Sequence, residues 1–464
     1  MTERLRSGAA GLDEVLDGGL PTNGVDLIVG LPGTGKTMLA QQYVFANARA
    51  DAPAVYVSTA AEPFEKIVRY GQTLSFFDVD AVGRSVFYED LGNALLHEGL
   101  AGALERLEVI LAQREPGLLV IDSFKAFATL ADSGPEYRRF LHELAGRLSI
   151  RPMTSLWLGE YAVGDMATAP EFAIADAVLW LTTGRYEQRE IRLLQVLKLR
   201  GSGFLSGRHA YRLSADGLRV FPRLADPAEP AEYQPDTRRI SSGVPWLDQA
   251  LGQGLRVGSS TLVTGPSGAG KTVLGLHFAF ASARKRDGTT VFATFDENPS
   301  QIFEAAAGFG WSFEPPEIRL IYRSAVDLYL DEWVYDLLEI VAADDTRRVF
   351  IDGLGSLRIA AHDPTRFQEY LYSLVQRFAR SGVTVMMSLE SPDLFGSTRL
   401  PDVPLSQMAD NVLLLRFVRD DGGFRRALTV LKSRGNRSEP RVHEYTIGSS
   451  GIELSERRGP SPPR

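Results

Sequence analysis

Residues 30–37 read GLPGTGKT and residues 265–272 read GPSGAGKT. Both fit the phosphate-loop pattern of Gly, four residues, Gly, Lys and then Ser or Thr. Each follows a short apolar run, VDLIVG or STLVTG, as a strand–loop–helix phosphate site requires. The glycines let backbone N–H groups turn inward toward phosphate, and the helix that follows adds the positive end of its dipole. Gly30, Gly33, Thr34, Gly35, Lys36 and Thr37 form one expected nucleotide site, and Gly265, Ser267, Gly268, Ala269, Gly270, Lys271 and Thr272 form the other. Lys36 and Lys271 would reach the terminal phosphates, and Thr37 and Thr272 would ligate Mg2+.

The two loops belong to a repeat that runs the length of the chain. RSGAAGLDEVLDGGLP at 6–21 and RISSGVPWLDQALGQGL at 239–255 precede them with the same order of glycine, Leu-Asp and a glycine pair or near-pair. Lys36 and Lys271 lie 235 apart, Asp122 and Asp352 230 apart, and Lys198 and Lys432 234 apart. Between the halves, FPRLADPAEPAEYQPDTRR at 221–239 holds four prolines and little apolar periodicity, which reads as an extended linker. The domain boundary is placed between 235 and 236, giving domains 1–235 and 236–464.

Apolar runs rich in Val, Ile and Leu alternate with helix-length amphipathic stretches in each half. VDLIVG, AVYVST, LLVID, TSLWLGE and DAVLWLTT are predicted strands of the first half; STLVTG, TVFATF, RVFIDG, VTVMMSLE and NVLLLRFV match them in the second. Strands without polar alternation belong in a buried, mainly parallel sheet. GALERLEVILAQR and FQEYLYSLVQRFARSG suit crossover helices, and RLLQVLKLRG and RALTVLKSRG suit strands of an edge hairpin. The predicted fold is α/β: two tandem RecA-like P-loop NTPase domains, each a mainly parallel sheet flanked by helices.

Asp122 and Asp352 end the runs LLVID and VFIDG, where the second Mg2+ carboxylate of such a site belongs. Hydrolysis also needs a carboxylate that orients or deprotonates the attacking water. TVFATFDENP supplies Asp296 and Glu297 as the expected catalytic pair. The aligned AVYVSTAAEP has Ala60 and Ala61 in those places, with Glu62 one residue late, so the halves are expected to differ in chemistry.

Composition sets outer bounds. The 464 residues are 44% hydrophobic and 23% charged, the proportions of a folded globular chain. No cysteine is present, which excludes disulfides, thiolate metal sites and thiol nucleophiles. No run approaches the roughly 20 apolar residues of a membrane span, and the N-terminus lacks a secretory apolar core, so a cytoplasmic protein without membrane association is expected. The formal charge of −8 argues against nucleic acid as a partner.

The order of phosphate loop, acidic pair, strand-end Asp and a late Lys-x-Arg-Gly resembles the KaiC family of circadian-clock ATPases over nearly the whole chain. The resemblance implies ATP and Mg2+ as cofactors and a self-associated homohexamer of two stacked rings, with ATP at subunit interfaces. The late motifs are KLRGS at 198–202 and KSRGN at 432–436, and the resemblance assigns Lys198, Arg200, Lys432 and Arg434 to the neighbouring subunit's γ-phosphate.

Three departures matter. Family members carry a Glu-Glu pair in both halves, so Ala60-Ala61 implies impaired hydrolysis in the first. The family's self-phosphorylated Ser-Thr pair aligns with Ser406-Gln407 in PLSQMADN, leaving Ser406 as one candidate phosphorylation site. The stretch SERRGPSPPR after YTIGSSGIEL is shorter than the segment that clock KaiC uses to engage KaiA, which argues against KaiA as a partner. An ATPase that signals through conformational change, with a further signalling protein as partner, is the leading expectation. The alternatives are a serine autokinase, a RecA-like DNA-dependent ATPase and a nucleotide-gated scaffold with negligible turnover.

Overall fold

The computed structural model describes residues 3–59, 64–186, 189–224, 236–285, 288–313, 317–361, 363–391, 403–420, 423–436 and 441–455. Two compact units emerge, Met1–Arg223 and Leu224–Arg464. Most of the proline-rich stretch, residues 225–235, lies outside the described residues.

Each unit is built on one nine-stranded sheet. In the first, the order is Gly217–Phe221, Arg208–Ser214, Arg189–Leu199, Ala177–Tyr186, Val25–Gly30, Thr154–Gly159, Leu118–Asp122, Ala54–Ser58 and Val86–Asp90. The last six run parallel, and the first three add to them antiparallel. The second unit repeats the order from Gly451–Leu454 through Val442–Gly448, Gly423–Ser433, Asn411–Asp420, Ser260–Gly265, Thr384–Glu390, Thr346–Asp352 and Thr289–Thr294 to Ile318–Tyr322. All ten predicted strands are present.

The central strands are apolar because both faces of the sheet are covered. Every residue of Val25–Gly30, Thr154–Gly159 and Ser260–Gly265 is buried. In the first unit, the helix Lys36–Asn47 packs Leu39, Tyr43 and Val44 on one face, while Gly92–Arg114 and Gly134–Ser149 cover the other through Leu104, Leu107, Phe140 and Leu144. In the second, Lys271–Lys285 and Pro364–Arg380 take those places. Of the two stretches expected as crossover helices, the first falls within Gly92–Arg114 and the second lies in Pro364–Arg380 except for its last two residues, Ser381 and Gly382.

One expectation is corrected. Arg189–Leu199 and Gly423–Ser433 do form hairpins with the preceding strands, but they are not sheet edges, because two further antiparallel strands extend each sheet beyond them. Those strands join through tight turns at Ala215–Asp216 and Ser449–Ser450; Arg208–Ser214 and Val442–Gly448 are largely half-buried and polar, and Gly217–Phe221 and Gly451–Leu454 are short, so none carries an apolar run like those of the central strands.

Candidate functional site

Both phosphate loops leave the carboxyl end of the central strand and enter a helix, at the end of an open α/β sheet where ligands bind. Gly33 and Gly35 adopt φ of 77° and 91°, and Gly268 and Gly270 adopt 74° and 96°. That left-handed backbone is open to glycine and strained for other residues, and it lets the loop fold around a phosphate-sized space.

Each lysine points back into its loop. Lys36 Nζ donates to Gly30 O at 3.0 Å and Leu31 O at 3.1 Å, and Lys271 Nζ donates to Gly265 O at 3.0 Å and Pro266 O at 2.9 Å. Burial pulls both ammonium groups below the usual lysine range; nearby carboxylates oppose the shift.

In each unit the phosphate-loop threonine touches the strand-end aspartate. Thr37 Oγ1 donates to Asp122 Oδ2 at 3.0 Å, and Thr272 Oγ1 donates to Asp352 Oδ2 at 2.8 Å. The second hydroxyl on each carboxylate differs. Asp122 accepts Tyr56 OH at 2.5 Å, whereas Asp352 accepts the hydroxyl of Ser388. Burial raises the Asp352 carboxyl, and hydrogen bonds from Ser388 and Thr272 oppose the rise.

The structure separates the expected catalytic pair. Thr272 Oγ1 also contacts Glu297 Oε1 at 3.2 Å, so Glu297 stands with Thr272 and Asp352. Burial, then the charge of Asp352, raises its carboxyl above the usual range. Asp296 turns aside, accepting Ser356 Oγ at 2.7 Å, and its Oδ2 would lie 2.8 Å from a Cβ added at Gly353. It braces the turn that follows Asp352. Ala60, Ala61 and Glu62 lie outside the described residues.

The late cations rest on their own subunit. Lys198 Nζ donates to Phe172 O and Ala173 O, and Arg200 binds Ala173 O and Asp176. Lys432 Nζ donates to Ser406 O, Gln407 O and Ala409 O, and Arg434 reaches Gln407 O at 3.1 Å. Both sets cap the carbonyl end of a short helix, Glu171–Ile174 or Val403–Met408, where a cation suits the helix dipole. Ser406 is on the second of these helices and is 6% exposed.

Several site residues were not singled out by sequence motifs. Glu390 stands beside Gly265 in parallel register, and Glu160 follows Gly159, the partner of Val29. Among nearby charges, these two carboxylates act most strongly on Lys271 and Lys36. The antiparallel strands also hold each loop. Arg192 donates to Gly33 O at 2.8 Å and Tyr211 OH to Thr34 O at 2.7 Å; Arg426 donates to Gly268 O at 3.0 Å and Tyr445 OH to Ala269 O. Arg192 and Arg426, like Tyr211 and Tyr445, keep the spacing of 234 that relates Lys198 to Lys432, so the repeat carried a signal for them.

Among the described residues, no helix is long and apolar enough to cross a membrane. The family profile described as "ATPase: KaiC" matches residues 5–225 and again residues 240–459. The circadian clock oscillator protein KaiC of Picosynechococcus sp. is 27% identical over 477 residues, covering 98% of this chain and 90% of that protein. The protein of the same name from Prochlorococcus marinus (strain SARG) is 28% identical, covering 98% of this chain and 92% of its own. The circadian clock protein KaiC3 of Synechocystis is 26% identical, covering 97% and 92%. With both halves matched by one ATPase profile and both phosphate loops formed, the chain belongs to the KaiC family of P-loop ATPases.

Proposed function

We propose that the chain is an ATPase of divided labour: the second unit hydrolyses ATP, and the first holds it as a clamp between subunits of a double-ring homohexamer. The observation that carries this reading is the meeting of Glu297, Thr272 and Asp352 in the second unit, set beside Ala60-Ala61 in the first.

The donor set suits Mg-ATP. A threonine hydroxyl and a carboxylate oxygen touch at the mouth of each loop, and a hard, hydrated cation binds through such oxygens together with phosphate and water. Bound there, Mg2+ would neutralise charge that develops during transfer. Thr37 with Asp122, and Thr272 with Asp352, would hold it. Lys271 would exchange its loop carbonyls for phosphate oxygens. Glu297 would orient a water molecule toward the γ-phosphate and accept its proton. Asp296 keeps the turn after Asp352 in place through Ser356.

In this reading Lys198, Arg200, Lys432 and Arg434 leave their carbonyl caps to meet the neighbour's γ-phosphate, where a cation stabilises the transition state. Such a head-to-tail interface closes into a ring. A nucleotide bridging two subunits favours assembly by mass action, so a first ring that binds without turnover holds the hexamer while the second changes shape with hydrolysis and signals to a partner.

The test is steady-state phosphate release by the wild type, Lys36→Ala, and Asp296→Asn with Glu297→Gln, with particle size followed in each sample. Loss of release from intact hexamers of the acid-pair variant is the expected result. Wild-type release from that variant would refute the assignment, and a particle that stays monomeric with ATP would refute the interface site.

A further inference from the structure

The Lys-x-Arg-Gly turns occur in both units, but among the described residues the second has the fuller brace. Arg239 NH1 donates to Leu251 O at 3.0 Å and Gly254 O at 2.7 Å, while its NH2 donates to Asn436 Oδ1 at 2.5 Å. The Asn436 amide donates in turn to Leu251 O and Ser433 Oγ, both at 2.8 Å. Arg256 NH2 donates to Gly435 O at 3.2 Å. Gly435 has φ of 75°, and a Cβ there would meet Arg256 NH2 at 2.3 Å, so the turn needs glycine both for its backbone and for this approach. Ser433 Oγ continues the chain of bonds to Asn411 Oδ1 at 2.9 Å.

The first unit keeps one member of this brace. Arg4 NH1 donates to Gly19 O at 3.1 Å, as Arg239 does to Gly254 O. Pro21 stands in the place of Arg256, and Ser202 in the place of Asn436, with its hydroxyl bonded to Gly203 O. A Cβ at Gly201 would meet nothing within 4 Å.

We propose that Asn436, fixed by Arg239 and assisted by Arg256, is a positioning residue that presets the backbone from which Lys432 and Arg434 act on the neighbour's γ-phosphate. This deepens the trans-cation reading above and rests on it. Arg434 is a long side chain with 60% exposure, so its head can be placed accurately only if its backbone is fixed. Its bond to Gln407 O and its contact with Asp410 at 3.5 Å are given up when it turns to a neighbour, whereas the brace holds Asn436 and the Gly435 carbonyl without using the Arg434 side chain, and stays. The second unit, to which turnover is assigned, is the one that has it.

The experiment compares phosphate release by the wild type, Asn436→Ser, Arg256→Gln and Arg434→Ala as assembled full-length chains. Asn436→Ser installs the residue that the first unit folds with at the matching position. A misplacement of about an ångström costs up to about a hundredfold in rate, so kcat is expected to fall about tenfold in Asn436→Ser and by less in Arg256→Gln. KM for ATP is expected to stay within about twofold, because a contact made only in the transition state lowers kcat and kcat/KM together. Wild-type kcat in both brace variants, beside a crippled Arg434→Ala, overturns the positioning role and leaves the trans reading standing. A raised KM with kcat unchanged also overturns it. Wild-type turnover in Arg434→Ala overturns the trans reading and this inference with it.

Discussion

Asp26 is the second residue of the first unit's central strand, with 1% exposure, and its Oδ2 has no hydrogen-bond partner among the described residues. Replacing it with asparagine should stabilise the protein. Burial raises its carboxyl well above the ordinary value of 3.8, and the neighbouring Asp176 raises it further. A Cβ on Gly24 would lie 3.6 Å from Asp26 Oδ1 and 3.3 Å from Asp176 Oδ2, so those oxygens are no more than about 7 Å apart. At an effective dielectric constant of 20, two charges at that distance repel by about 2 kcal/mol, roughly halved here because Asp176 is 42% exposed and paired with Arg200. The desolvation of the buried carboxylate, the first cause of its raised value, adds to this cost and is likewise removed with the charge.

Asp26→Asn removes the charge and keeps the shape, so about 2 kcal/mol of net gain is expected near neutral pH. For a unit of 223 residues that corresponds to a rise of about 4–8 °C in melting temperature. The sign follows from linkage. The folded state holds this proton more tightly than the unfolded state, so wild-type stability falls as pH rises from 3.8 toward the raised folded value, by about 1.4 kcal/mol per pH unit at most. Above that value the loss is complete and constant. Thermal melts of both proteins from pH 4 upward should therefore show similar stability at the acid end and a gap that widens with pH. A variant that melts lower at every pH would show that the Asp26 carboxylate is paired and useful, against this reasoning.

Three further outcomes follow from the site. Glu297→Gln alone should lower phosphate release by about 10²- to 10⁴-fold, and Asp296→Asn alone by only severalfold, since Asp296 serves Ser356; equal losses would make the acids a joint base. Tyr56→Phe, made with Lys271→Ala so that only the first loop binds, should raise the Mg2+ needed for retention of a fluorescent ATP analogue by about tenfold, because Asp122 loses a charged hydrogen bond; an unchanged midpoint would remove Tyr56 from the site. Ser406 is buried under the Lys432 contact, so mass spectrometry after incubation with ATP should find no phosphate on it, and a phosphopeptide at Ser406 would show that the helix Val403–Met408 opens.

What the sequence made legible was whatever repeats in chemical type at a fixed spacing. Gly-x4-Gly-Lys-Thr demands particular backbone angles and a particular charge, so both loops could be read and both formed. The strands could be read because full burial removes polar alternation. The outer strands could not, since half-burial leaves an ordinary polar pattern that many loops share. Glu160 and Glu390 are legible only as strand ends, because their closeness to the lysines depends on which strand lies beside Val25–Gly30 and Ser260–Gly265. The turning aside of Asp296 could not be read either. Adjacent residues at a strand end face opposite ways, and which one faces the cation depends on the turn that follows.

The most informative differences between the halves are exchanges at matched positions. Asp122 takes its second hydroxyl from Tyr56, where the second unit has Phe292; Asp352 takes its own from Ser388, where the first unit has Leu158. Each carboxylate thus keeps two hydroxyl partners, but the donors stand on different strands. In the first unit the hydroxyl comes from Ala54–Ser58, the strand that leads into Ala60-Ala61. In the second it comes from Thr384–Glu390, and the strand Thr289–Thr294 instead leads to Glu297, which reaches the same threonine as Asp352. In the proposed mechanism a tyrosine bonded to the carboxylate would hold that carboxylate still without supplying a base, whereas the serine would do so from a strand other than the one that leads to Glu297. The exchange therefore supports a first site arranged for retention and a second arranged for turnover, and the brace around Asn436 falls on the same side of that division.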